Sequence, residues 1–212
     1  MKADRTWNFT LILCVLMTFA CTFVQAQGNV PPSKQGLADM LLEYVHIRYP
    51  GTDLSRDVIY VSAQRQRLFH LRGGHVVGDY PISTSAAGLG SEWDSFRTPQ
   101  GLHYVREKIG EGCRPWSILR WRTVTSEVAD SSGNAGDDVI TSRILRLAGM
   151  EGGVNAGGEV DSFERSIYIH GTADERSLGR PGSHGCVRMR NRDVIELFSQ
   201  VPVGSLVVIL DN

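Results

Sequence analysis

From Val58 onward the chain is written in short runs of strand-forming residues separated by turn signals, and that texture constrains its fold most. Val58-Ile59-Tyr60-Val61 and Leu68-Phe69-His70-Leu71 come first, and Gly73-Gly74 then turns the chain into a strand over 75–82. Thr98-Pro99-Gln100-Gly101 carries proline second and glycine fourth, the pattern of a tight turn, and a strand over 102–105 follows. Residues 139–145, 166–170 and 204–210 read as further strands. Two segments have helical spacing instead. Ser33 caps a helix whose apolar positions are Leu37, Met40, Leu41, Tyr44 and Val45, ended by Pro50-Gly51. A second, over 191–200, sets Val194, Ile195, Leu197 and Phe198 on one side. The expectation is a mainly β fold, a sandwich or barrel with one or two packed helices. Residues 110–121 suggest no element, 86–97 and 131–138 read as loops, and 149–158 holds five glycines. That last stretch lacks the Lys-Ser/Thr ending of a phosphate loop and is expected to be a flexible active-site or surface loop.

At 212 residues the chain suits one domain with a core of its own. A net charge of -1 and a pI near 6.6 argue against nucleic acid as a partner. The N-terminus is built differently from the rest. Lys2 and Arg5 precede an apolar run over 9–24, and Val24-Gln25-Ala26 supplies a cleavage site. The expected organisation is a signal peptide over 1–26, a linker and N-terminal helix over 27–56, and a domain over 57–211. This places the protein in the periplasm or cell envelope; an uncleaved inner-membrane anchor is the alternative. Cleavage removes Cys14 and Cys21 and leaves Cys113 and Cys186. In an oxidising compartment two cysteines suggest a disulfide, so Cys186 has a structural reading as well as a chemical one.

The chemical reading rests on its neighbours. Ile169-His170-Gly171-Thr172 ends one strand, and Ser183-His184-Gly185-Cys186-Val187-Arg188 leads into the next. A thiol becomes a useful nucleophile when a base or a positive field favours its thiolate, and a strand-end histidine can supply the base. Gly182 and Gly185 let backbone approach a substrate, and N–H groups at Gly185 and Cys186 can face a developing oxyanion. Arg188 shares a strand face with Cys186 and can bind a carboxylate or hold the loop.

These residues resemble the signature of the L,D-transpeptidase catalytic domain family, cysteine transpeptidases that remodel peptidoglycan. The likeness covers about 58–210, through Thr98-Pro99-x-Gly101, Lys108-Ile109-Gly110 and Val201-Pro202-Val203-Gly204. The resemblance implies Cys186 as nucleophile and His170 as general base, oriented by the carbonyl of Gly171. It implies that His184 lines the site and tunes the thiolate, and that Ser183, Gly185 and Arg188 serve the oxyanion or the substrate. Cys186 would attack the diaminopimelate carbonyl at position three of a tetrapeptide stem, expel D-alanine, and pass the acyl group from a thioester to an amine.

Peptidoglycan stem peptides are the implied partners, with a wall-anchored lipoprotein as a further acceptor; no metal or organic cofactor is implied, and a monomer is expected. The alternatives are a hydrolase on the same fold, a zinc hydrolase using His170, His184 and Cys186, and a non-catalytic wall-binding module. Cys113 reads as a partly buried free thiol, with a Cys113–Cys186 disulfide as a redox alternative. His46, His70, His75 and His103 read as packing or surface histidines without partners. Trp93, Trp116 and Trp121 belong to the core, a rim or a glycopeptide groove, and Asp161 and Glu164 support the His170 strand.

Overall fold

The computed structural model describes residues 33–130 and 139–212; residues 1–32, on which the signal-peptide and linker expectations fall, and residues 131–138, expected as a loop, lie outside the described residues. Helix α1 (Lys34–Arg48) precedes β1 (Asp57–Ser62), β2 (Arg67–Arg72), β3 (His75–Ser83) and β4 (Gly101–Ile109). A hairpin of β5 (Ser117–Arg120) and β6 (Thr123–Val128) follows. Then come β7 (Ile140–Gly149), β8 (Tyr168–Thr172), β9 (Val187–Met189), α2 (Asn191–Gln200) and β10 (Leu206–Leu210). The sheet order is β4-β10-β1-β2-β3-β9-β8-β7-β5-β6, and β7 also pairs with β4. Eight strands therefore close into a ring, with the β5–β6 hairpin attached outside it. Closure decides between the sandwich and the barrel in favour of the barrel and removes the open edges of the ring, leaving β6 as the edge strand among the described residues.

The residue pattern explains the closure. On β1, Ile59 and Val61 belong to one buried cluster, while Val58 and Tyr60 belong to another. Their parallel neighbour β10 alternates likewise, Val207 and Ile209 against Leu206 and Val208. The first cluster draws side chains from all eight ring strands and is completed by Val194, Leu197 and Phe198 of α2, so it is the barrel interior. The second is covered by Leu37, Ala38, Leu41 and Val45 of α1. Strands apolar on both faces need cover on both, and burying a leucine such as Leu41 is worth roughly 1.5–3 kcal/mol.

Four local expectations are corrected. Residues 110–121 do contain a strand: β5 pairs with β6 across a two-residue turn. Thr98-Pro99-Gln100-Gly101 is no tight turn, because Thr98 bridges Leu89 and Gly101 already opens β4. Residues 149–158 are tied to β4 and not to the site. Buried Asn155 donates from Nδ2 to the carbonyls of Gln100 and Leu102 at 2.8 and 3.0 Å, and Glu151 accepts from the Leu102 N–H at 2.6 Å. Two of the histidines have firm partners. His70 Nε2 lies 2.7 Å from Asp57 Oδ1, and His103 lies between the Gly101 carbonyl and Ser162 Oγ.

Candidate active site

Strand alternation brings the motif residues to one face. In β8, Ile169 points into the barrel, so Tyr168 and His170 point out; in β9, Val187 and Met189 point in, so Cys186 and Arg188 point out. The two strands are parallel, with Ile169 opposite Val187 and His170 opposite Arg188. Cys186 packs against the cluster of Leu119, Ile144 and Tyr168. The tight loop before Cys186 is held by Ser183, whose hydroxyl donates to the Cys186 carbonyl at 2.5 Å and accepts from the Gly185 N–H at 3.2 Å. An oxyanion on the Gly185 N–H therefore competes with that hydroxyl.

The imidazole of His170 is 1% exposed, and its Nδ1 lies 2.8 Å from the Gly171 carbonyl. A carbonyl only accepts, so Nδ1 carries the hydrogen and Nε2 presents its lone pair, the form a general base requires. The sulfur of Cys186 contacts the Ser166 carbonyl and the Tyr168 N–H, each at 3.4 Å. The first suits a thiol donor and the second favours a thiolate. Ser166 adopts a left-handed backbone, φ 58°, at the contact with the sulfur, and strain of this kind gathers at functional sites.

Gly185 has φ 120°, and a Cβ there would lie 3.3 Å from the Arg97 carbonyl. The loop following β3 thus lies directly on the cysteine loop. Ala86 N–H donates to Ser183 O at 3.0 Å, and Gly182 and Ser183 N–H donate to Thr84 O at 2.8 and 2.9 Å. Exposed His184 meets the Phe96 ring edge-on at 6.1 Å. Together they border a groove of about 260 Å³ lined also by Trp93, Asp94, Glu164, Arg165 and Ile167. Trp93 thus takes the groove-lining role among the tryptophans. Arg188 is buried, and its Nη1 would lie 3.7 Å from a Cβ on Gly182, so it underlies the cysteine loop.

Three contributors stand outside the two motifs. Arg165 donates to the Arg97 carbonyl at 2.8 Å and to Ser95 Oγ at 3.3 Å, latching the overlying loop. Burial lowers its pKa, while the negative charges of Glu92 and of a Cys186 thiolate act the other way. Arg122, at the hairpin tip, interacts with the Tyr168 side chain, which pushes the Arg122 pKa up. Asn191 is buried behind Gly171. None stands in a motif; only their type at strand and helix ends hinted at them.

Among the described residues, Cys113 and Cys186 form no disulfide. Cys113 lies against the Ser142 carbonyl, 2.8 Å, and Arg143 Nη1, 3.0 Å. Among the described residues no three His, Cys, Asp or Glu side chains gather as a metal site.

The fold and site together define a closed β-barrel with a cysteine just before β9 and a histidine in the middle of β8, a strand that runs two residues beyond the expected end at His170. The sequence places it further: the model of the YkuD L,D-transpeptidase catalytic domain matches residues 56–209, and the chain belongs to that family. Over 60 residues it is 45% identical to the putative L,D-transpeptidase YkuD of Bacillus subtilis, covering 26% of this chain and 37% of that protein. Over 47 residues it is 51% identical to the putative L,D-transpeptidase YqjB of the same organism, covering 22% and 27%. These matches span well under half of either relative. L,D-transpeptidase 3 from Mycobacterium tuberculosis, solved with a faropenem-derived adduct, aligns over 73% of this chain and 60% of that one, with 16% identity and a TM-score of 0.47.

Proposed function

We propose that the protein is an exported cysteine acyltransferase that remodels peptidoglycan stems. His170 Nε2 takes the Cys186 thiol proton, and Sγ attacks the diaminopimelate carbonyl at position three of a tetrapeptide. The tetrahedral oxyanion is met by N–H groups of the Gly185–Cys186 turn. His170 then protonates the amine of the leaving D-alanine, the carbon–nitrogen bond breaks, and a thioester remains on Cys186. An amine acceptor gives a proton to His170 and attacks the thioester; the amide forms and the thiol is restored. Arg188 steadies the loop from beneath, and the Trp93–His184 groove receives part of a stem.

The observation that carries this reading is the lock between His170 Nδ1 and the Gly171 carbonyl, on the face from which Cys186 projects. It leaves Nε2 as the proton acceptor. Digesting sacculi with purified enzyme and identifying the muropeptides tests it. Cross-links between two diaminopimelate residues, or exchange of the terminal D-alanine, are expected. Tripeptides alone assign the hydrolase, freed lipoprotein assigns release of a wall-attached protein, and no change in the stems contradicts both.

A further inference from the structure

We infer that Asn191 is a positioning residue that sets the tautomer and aim of His170 by fixing the Gly171 peptide; the inference rests on His170 being the general base. Asn191 opens α2, where an asparagine ordinarily caps the helix. The N-cap position is instead Arg190, with no side-chain capping bond, and the Asn191 side chain turns towards β7 and β8.

There it is 1% exposed, and its hydrogen-bonding capacity is filled. Oδ1 accepts from Thr141 Oγ1 at 2.7 Å and from Ser142 Oγ. Nδ2 donates to the Thr172 carbonyl and to Glu175 Oε1, each at 2.9 Å. Its own N–H also donates to Glu175 Oε1, at 2.8 Å. One amide therefore ties together the bulge of β7, the end of β8, the turn at Glu175–Ser177 and the start of α2.

Gly171 is wedged inside this knot. A Cβ at Gly171 would lie 2.6 Å from the Thr141 carbonyl and 2.9 Å from Asn191 Oδ1. The next carbonyl along, that of Thr172, is the one that Asn191 Nδ2 holds. The peptide that presents Gly171 O to His170 Nδ1 is thus confined by the close approach of Thr141 and Asn191, and the peptide that follows it is held by the hydrogen bond from Asn191 Nδ2. Groups behind a catalytic histidine that settle which nitrogen carries the proton have a direct chemical effect, because the wrong tautomer offers a donor where an acceptor is needed. Asn191 touches no reacting atom, so it acts only through this peptide.

Nitrogen-15 NMR of histidine-labelled protein at neutral pH tests the inference, with the His170 signals assigned through His170→Gln. The wild type is expected to show the Nδ1–H form alone. Asn191→Ala is expected to show a mixture of the two tautomers, with kcat lowered about 10²-fold and KM unchanged. Thr141→Val removes one donor to Asn191 Oδ1 and is expected to give a smaller shift in the same sense, which keeps the test open if Asn191→Ala does not fold. A pure Nδ1–H form in the variants, whatever their rates, overturns the inference. Normal turnover by His170→Ala overturns the base assignment instead, and the tautomer readout is independent of it.

Discussion

At the scale of single residues, the site depends on groups that hold charge and backbone in place around Cys186. Arg165 holds the loop over the site through carbonyl and hydroxyl contacts, and its guanidinium is coupled to charge on Cys186. Removing the positive charge while keeping a hydrogen-bonding side chain should raise the energy of the thiolate. Arg165→Gln is therefore expected to slow alkylation of Cys186 by iodoacetamide at pH 7 by up to about tenfold, the equivalent of one pKa unit. Arg165→Lys is expected to recover most of the loss. Equal rates in wild type and Arg165→Gln would contradict the coupling. The motif residues were legible because their types announce thiol chemistry. Asn191 and Arg165 were not, since a helix-start asparagine and a loop arginine have commoner uses than fixing a peptide or latching a loop.

At the scale of elements, most of the barrel was legible because its strands are dense in β-branched and aromatic residues. The β5–β6 hairpin was hidden by its turn. Arg120 faces Thr123 in register, which leaves Trp121 and Arg122 as a two-residue loop. Both have left-handed backbones, φ 51° and 66°, where Asn-Gly is the favoured sequence. Trp121 is 94% exposed at the tip, and Arg122 reaches Tyr168 beside Cys186. Replacing Trp121-Arg122 by Asn-Gly should relieve backbone strain and stabilise the fold by about 1 kcal/mol in urea unfolding. An unchanged or lower stability would show that the turn is not strained. The glycines at 149–158 misled in the opposite direction. Glycine richness suggested a flexible active-site or surface loop; the segment is at the surface, but one buried asparagine, Asn155, pins it to β4.

At the scale of the whole molecule, the closed fold buries His103 where water cannot reach it. His103 is buried, donates from Nδ1 to the Gly101 carbonyl and accepts at Nε2 from Ser162, so its neutral form is satisfied. Burial pushes its pKa down to about 4. The unfolded chain takes up this proton below about pH 6.5 and the folded chain only near pH 4, so stability falls as pH drops through that window. The loss attributable to His103 is on the order of 3 kcal/mol by pH 4. Urea unfolding of wild type and His103→Gln at pH 7 and pH 5 should show the pH dependence flattened in the variant. The same slope in both would contradict the assignment.

In the proposed function, Cys186, held by the loop before β9, carries the acyl group. Intact-protein mass spectrometry after incubation with a tetrapeptide stem or a carbapenem tests this most directly. A covalent adduct on Cys186 is expected, with one D-alanine released per stem bound, and none in Cys186→Ala. An adduct on Cys113, or an adduct that persists in Cys186→Ala, would contradict it.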